Sequence, residues 1–304
     1  MNNIPETQLE PTQLKRLAAR RKSDSYAKVI LGIQIGLSVL SPPLCSLVVM
    51  FFSKFAVWTA LYGIIITCLN ILWVTPWRQT LKEKAAKIHE LFDCDVLELN
   101  WRELTVGSRL EMMETVVEYA GKYKTDSPSC SDLKNWYPIA SGKLPIHLGR
   151  IVCQRTNCWW SSQLRKHYTR IIIFVLVLTV VGSVGIGLIK TEWSLEKWIL
   201  AVIIPLMPVF ILVIQQLIEN KKSVMLLDKL KTHAEGLWKK ALTETNTGEL
   251  TYACRELQDG IFNHRRTGPL IFTWLYKRYR KEMERQMNEA ADEMVEEALQ
   301  FLGK

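Results

Sequence analysis

Four runs of this sequence contain no Asp, Glu, Lys, Arg or His: residues 29–53, 55–77, 171–189 and 198–218, together 88 residues. A bilayer's hydrocarbon core of about 30 Å is crossed by roughly 20 apolar residues of helix, because the helix satisfies its own backbone polar groups. Each run meets that length. A single uncharged run could be the buried core helix of a soluble domain, but four leave too little polar chain to cover them. A signal peptide does not fit either, since the first run begins after 28 residues and is followed at once by the second. The overall composition, 48% apolar and 23% charged, resembles an ordinary globular protein only as an average. The other 216 residues hold all 69 formal charges.

The runs come as two hairpins. Lys54 alone separates the first pair, and the charge-balanced segment 190–197 separates the second. Lys22, Lys28, Arg78, Lys82, Arg165, Lys166, Arg170, Lys221 and Lys222 all flank the other ends of the runs. By the positive-inside rule, both termini and the middle segment are expected in the cytoplasm. Trp73 and Trp77 fit an inner aromatic belt; Trp58, Trp193 and Trp198 fit an outer one. The expected fold is mainly α: four transmembrane helices as two hairpins, with a mostly helical cytoplasmic domain. Its divisions are residues 1–28 (cytoplasmic), 29–77 (hairpin), 78–170 (cytoplasmic, ligand-sensing), 171–218 (hairpin) and 219–304 (cytoplasmic, helical).

Inside the spans, Pro42-Pro43, Pro205 and Pro208 break or kink helices, and Gly182, Gly185 and Gly187 allow close packing. Polar groups in hydrocarbon must find partners or face water. Asn70, Thr67 and Gln215 are candidates to line a pore; so are Gln34, Ser38, Ser41, Thr179, Ser183 and Gln216, and interhelical hydrogen bonding within one subunit explains the same residues. With no charge inside any span, a proton relay, a coupled transporter and a voltage sensor are disfavoured. An uncharged pore opened by its cytoplasmic parts is not.

Outside the membrane, Leu81, Ala85, Ile88 and Leu91 mark one face of a helix continuing the second span. Residues 93–100 read as a short strand. Ser108 with Glu111 predicts a capping box opening a helix to about Lys124, ended by Ser127-Pro128-Ser129. A helix from Pro145 feeds the third span. It carries Arg150 and the run Cys153-Gln154-Arg155-Thr156-Asn157-Cys158-Trp159-Trp160. Arg150, Arg155, Arg165 and Lys134 are the expected phosphate contacts. Trp136, Tyr137, Trp159 and Trp160 would stack on bases or shape the pocket, with Asn157 hydrogen bonding. Anchoring at the membrane surface explains the Trp and Arg residues equally well. Glu90, Asp93, Asp95 and Glu98 read as a solvated acidic face. Val224, Leu227, Leu230, Ala234, Leu237 and Ala241 mark a helix after the fourth span, followed by one over residues 249–264. Met283, Met287, Ala290, Met294, Ala298 and Phe301 form a seam that fits either the chain's own helices or a second subunit.

Enzyme signatures are missing: there is no phosphate-binding glycine loop, no HExxH and no GxSxG. Cys153 and Cys158, five apart with no second pair, read as buried thiols rather than metal ligands. The reading is a non-enzyme with no metal and no cofactor.

Several segments together resemble one family. They are Asn2-Asn3-Ile4-Pro5 with Gln8, then Leu17-Ala18-Ala19-Arg20-Arg21. Ala85-Ala86-Lys87-Ile88, Glu90 through Leu97, Asn135-Trp136-Tyr137-Pro138 and the run from Cys153 to Trp160 follow in order. This set is similar to the S-4TM family, pore-forming effectors with four spans encoded beside nucleotidyltransferases in bacterial anti-phage systems. The resemblance implies a homo-oligomeric channel of the bacterial inner membrane, taken as a tetramer, that depolarises the cell. A partner nucleotidyltransferase would make an oligonucleotide signal, either a cyclic oligonucleotide that opens the channel or a short DNA oligomer that holds it closed. The cytoplasmic excess of Lys and Arg over acids, 36 to 28, suits such a polyanion and suits anionic lipid headgroups too. The competing function is a membrane scaffold without a pore that recruits a cytoplasmic partner.

Overall fold

In the computed structural model of the chain, residues 1–37, 41, 44, 48, 52, 55–121, 132–189, 194, 195, 199, 203–243 and 247–303 are described. Among them all regular structure is helical. A short helix α1 (Ile4–Thr7) precedes α2 (Pro11–Ile35), which crosses the expected membrane border at residue 28 without a break. The chain from Ala56 to Val96 is one continuous rod: α3 (Ala56–Leu69), a widened π-type turn at Asn70–Val74, and α4 (Thr75–Val96). Pro76 explains the widened turn. It has no N–H to donate and its ring crowds the carbonyl one turn back, so the hydrogen-bond ladder re-spaces there.

Among the described residues, two helical stretches are long and apolar enough to cross a membrane, Leu61–Val96 and Ile146–Gly185. Their uncharged portions, 61–77 and 171–185, expose Ile64, Leu72, Phe174, Leu178 and Val181, each by 60% or more. A continuous apolar face of that kind is unstable in water and matches lipid. Of the other two expected spans, 29–53 is described at 29–37, 41, 44, 48 and 52, and 198–218 at 199 and 203–218; Ser38, Pro42, Pro43, Cys45, Lys54, Trp193 and Trp198 lie outside the described residues, and the side chains of Thr67, Pro205, Pro208 and Gly187 are likewise not described.

The charged body consists of α5 (Glu103–Val106), α6 (Arg109–Ala120), a 3-10 turn at Ile139–Lys143, α7 (Ile146–Ile189), α8 (Ile204–Thr243), α9 (Thr247–Thr267) and α10 (Thr273–Phe301). The α7 and α8 helices pack along each other, α2 lies on α4, α9 touches α4, α7 and α8, and α10 rests on α7. Leu17, Phe92, Ile151, Trp238, Leu257 and Val295 share one core, so the N-terminal, middle and C-terminal segments fold as a unit. The N-terminus is sewn in as well. The Asn2 side-chain amide donates to the Ser141 and Leu144 carbonyls at 2.7 and 2.9 Å, and Gln8 exchanges hydrogen bonds with the Tyr137 backbone. At Gly149 a β-carbon would stand 2.4 Å from the Asn2 amide nitrogen, so only glycine lets this contact form.

Several expectations hold. Leu81, Ala85, Ile88 and Leu91 are buried on one face of α4, and the Ser108 hydroxyl accepts from the Glu111 N–H at the start of α6. Others need correction. Residues 93–96 are helix, not strand: α4 runs to Val96 and the chain turns at Glu98, with φ +50°. The α6 helix stops at Ala120, before Gly121 at φ +55°; Lys124 and Ser127-Pro128-Ser129 lie outside the described residues. The α10 seam uses Met283, Met287, Ala291, Val295 and Ala298, while Phe301 is 62% exposed. Steps of four after Met287 carry the buried line past Ala290 and Met294.

The largest correction concerns the acidic cluster. Glu90 and Asp93 are completely buried, not solvated. Glu90 accepts from Arg255 at 2.5 Å and Gln258 at 2.8 Å. Asp93 accepts from Arg265 at 2.5 Å, Gln258 at 2.7 Å and the Tyr137 hydroxyl at 2.7 Å. The Gln258 amide donates both hydrogens to the two acids and accepts from Gln154 at 3.1 Å. Asp95 pairs with Arg16 and Arg109 at 2.5 Å each. Buried charges are tolerated when paired and hydrogen-bonded in this way. Replacing Arg265 by Met strands the Asp93 carboxylate, and should destabilise the detergent-purified protein by about 3–5 kcal/mol in thermal unfolding. Lys134→Ala, at an exposed side chain, should shift stability by less than about 0.5 kcal/mol.

Candidate functional site

The α7 helix spreads the expected ligand residues along its axis instead of gathering them. Arg150 and Arg165 are fifteen residues apart, about 22 Å in a helix. Arg150 is buried and caps the end of α4, donating to the Leu97 and Glu98 carbonyls at 2.5 and 2.7 Å and to the Thr251 hydroxyl at 3.1 Å. Arg155 faces α8 and pairs with Glu235 at 3.0 Å. Arg165 is buried near the membrane border, donating to the Asn220 side-chain oxygen at 3.2 Å. Trp159 and Trp160 are half-buried against Leu164, Tyr168 and Leu275. Lys134 is exposed.

One group of predicted residues does converge. Tyr137, 1% exposed, stacks on Phe92 and bonds to Asp93, and Asn157 donates to its hydroxyl at 3.0 Å. Beside it, half-buried Trp136 receives the edge of His89 at 5.0 Å, and the Arg20 guanidinium lies 5.0 Å from its ring centre. Arg20 is also within electrostatic reach of Arg265 and Tyr276. Tyr276 in turn lies 6.1 Å from Trp160 and 5.9 Å from the Arg280 guanidinium. The result is a half-exposed surface of Arg20, Trp136, Trp160, Tyr276 and Arg280. Arginine planes over aromatic rings are the usual means of holding stacked bases and their phosphates.

Sequence reasoning overlooked Arg20, Arg265, Tyr276 and Arg280 as members of this surface. Arg20 and Arg280 sit in basic helical stretches that read equally well as solvated faces. The available signal was Arg20-Arg21 ending an apolar N-terminal repeat. Of the expected pore residues, Asn70 opens the widened turn and Gln215 donates to Glu219 at 3.0 Å; the Thr67 side chain is outside the described residues.

Burial sets the electrostatics. It pushes the Cys153 and Cys158 thiols up to about 12, so both stay protonated and inert. Burial raises Glu90 against the pull of Arg255. Tyr137 is pushed well above the ordinary phenol value by burial and by Asp93, which keeps its proton in the hydrogen bond. His89 and His264 fall well below 6.5, first from burial and then from nearby arginines. Although His89 lies 3.8 Å from Asp93, that carboxylate is already neutralised by Arg265, so the ring stays uncharged. Burial with no acid in contact lowers Arg165 to about 10, and burial next to Arg78 and Arg165 lowers Lys82 to about 8.

The family model described as the SMODS-associating 4TM effector domain matches residues 2–294. A protein of Bacillus cereus (strain VD146) bearing the name "Probable CBASS effector molecule" is 27% identical over 282 residues, covering 89% of this chain and 91% of that protein. No solved structure matches the chain.

The two neutral histidines give a pH signature. In the unfolded chain each protonates near 6.5, whereas the folded chain resists protonation to a lower pH. Their stabilisation is complete above about 6.5 and declines below it, by up to about 1.4 kcal/mol per pH unit for each ring. Glu90 acts in the opposite direction, but as one group against two. The melting temperature should fall between pH 7 and 5.5, with a shallower slope in His264→Gln.

Proposed function

Because the chain belongs to the SMODS-associating 4TM effector family, we propose that it is a pore-forming effector of bacterial anti-phage defence, gated by an oligonucleotide. It sits in the bacterial inner membrane with both termini in the cytoplasm, spans the bilayer four times, and assembles as a homo-oligomer, taken as a tetramer. A partner nucleotidyltransferase supplies the signal, and the effector performs no chemistry of its own.

One observation carries the gating reading. The arginine–aromatic surface is wired by Arg265, Asp93 and Tyr137 to α4 and α7, and these two helices continue unbroken into the apolar stretches. A polyanion seated on Arg20 and Arg280 draws on the charge of Arg265 as well. Competition for that guanidinium alters the pairing that fixes α4 against α9, and so the angle at which the spans enter the membrane. The widened turn at Asn70–Val74 is where the rod can absorb such a change, since π-type turns inside helices recur at functional positions. Asn70, Thr67 and Gln215 line the pore.

Binding of short DNA oligomers and cyclic oligonucleotides to the purified protein, alongside ion flux from liposomes, tests the reading. Arg20→Ala and Trp136→Ala should each weaken oligonucleotide binding at least about tenfold, the scale of one lost stacked base. Affinity should fall steeply with salt as counterions are released. Unchanged affinity in both variants would remove the surface from consideration, and absence of flux with or without nucleotide would favour a scaffold.

A further inference from the structure

A second cationic group lies on the membrane side of that surface, and the described residues place no carboxylate in contact with it. Arg165 has a side chain 7% exposed. One of its terminal nitrogens meets the neutral side chain of Asn220, and its Nε is buried with no hydrogen-bond acceptor. Every other buried arginine described above is capped by carbonyls or by an acid. The His264 Nε2, also buried, lacks a partner too. Both groups converge on Gly268, where the position of a β-carbon would be 2.8 Å from an Arg165 terminal nitrogen and 3.1 Å from His264 Nε2. Lys82 reaches the same turn and donates to the Thr267 carbonyl at 3.1 Å. Arg78, one turn earlier on α4, donates to the Gln34 side-chain oxygen at 2.7 Å.

The nearest acids make no ion pair with this group among the described residues. Asp24 pairs with Arg20 and Lys28, and Glu219, which accepts from the neutral Gln215, acts on Arg78 and Lys82 only from beyond contact. Arg265, the other charge facing His264, is spent on Asp93. A folded protein does not normally hold an unpaired guanidinium out of water, because the cost is uncompensated.

Depth in the membrane supplies the missing partner. Arg78 directly follows the uncharged run 55–77, Lys82 is five residues beyond it, Asn220 is two residues past the run 198–218, and Arg165 is six residues before the run 171–189. At about 1.5 Å per helical residue, all four fall within roughly 9 Å of the hydrocarbon edge, the layer occupied by headgroup phosphates. We propose that Arg165, Lys82 and Arg78 form a phosphate-binding site at headgroup depth, with Arg165 as its floor and the half-exposed Lys82 and Arg78 as its rim. The occupant is the phosphodiester of a phospholipid headgroup, the anion found at that depth. The inference rests on the reading of the chain as a membrane protein and stands apart from the nucleotide surface around Trp136.

Thermal unfolding of the full chain, purified and stripped of lipid in nonionic detergent, tests this. Short-chain phosphatidylglycerol, short-chain phosphatidylcholine and a DNA oligomer are the three probes. The expected result is a saturable rise in melting temperature with the phospholipids, abolished in Arg165→Met and weakened at least fivefold in Lys82→Ala. Without any probe, Arg165→Met should melt no lower than the parent, because it removes a charge that the empty site leaves uncompensated. A purely structural arginine predicts the reverse: a lower melting temperature in Arg165→Met and an undiminished probe response in Lys82→Ala. That result would overturn the site, as would a lipid-induced rise of equal size in both variants. A rise confined to the oligomer, lost in Lys82→Ala and kept in Arg20→Ala, assigns the phosphate to a nucleotide and overturns the lipid site. Loss in Arg20→Ala alone, with no lipid response, assigns all binding to the Trp136 surface and also overturns the site.

Discussion

Two carboxylates buried without solvent, Glu90 and Asp93, dictate how the charged body is assembled. Neither acid can remain there unless Arg255, Gln258 and Arg265 arrive together on α9 and Tyr137 arrives from the segment before α7. Apolar packing alone allows helices to slide by a turn at little cost, whereas a buried charge with one correct set of donors does not. The register of α4 against α9 is therefore set by hydrogen bonding, and the hydrophobic core fills in around it. The same residues explain why the N-terminal segment belongs to the body: Gln8 and Asn2 hold the loop that presents Tyr137.

Much of this architecture was legible in the sequence. Uncharged runs announced membrane helices, the 3.6-residue repeat in α4 identified its buried face, and Ser108 with Glu111 marked a helix start. What could not be read was pairing across distance. Glu90 and Asp93 look like any solvated acidic stretch until Arg255 and Arg265, some 165 residues later, are brought to them. Arg150 is the converse case. Its position in a basic, aromatic segment suggested a ligand contact, while its role in the fold is to cap α4. A one-dimensional reading sees residue type and local spacing, and it cannot tell a cation held by carbonyls from one left over for a ligand. The surface around Trp136 was only half visible for the same reason, since Trp136 and Trp160 were singled out but their arginine partners come from α2 and α10.

The cations of this chain fall into two populations. Arg16, Arg109, Arg255 and Arg265 are matched to acids and serve the fold. Arg78, Lys82 and Arg165 are not in contact with a carboxylate among the described residues, and they gather beside the ends of the uncharged runs. Net charge, at +9, records only the sum of the two.

The unbroken rod from Ala56 to Val96 has a mechanical consequence. Between Pro76 and Val96 it extends about 30 Å, all on one side of the widened turn. Treated as a stiff lever pivoting at that turn, a tilt of about 5° displaces its far end by roughly 2.6 Å, close to the length of a single hydrogen bond. The donors around Asp93 sit at that far end, where the gearing is greatest. A change too small to open anything at the membrane is thus large enough to exchange a bonding partner at the other end, and the converse holds with the same leverage.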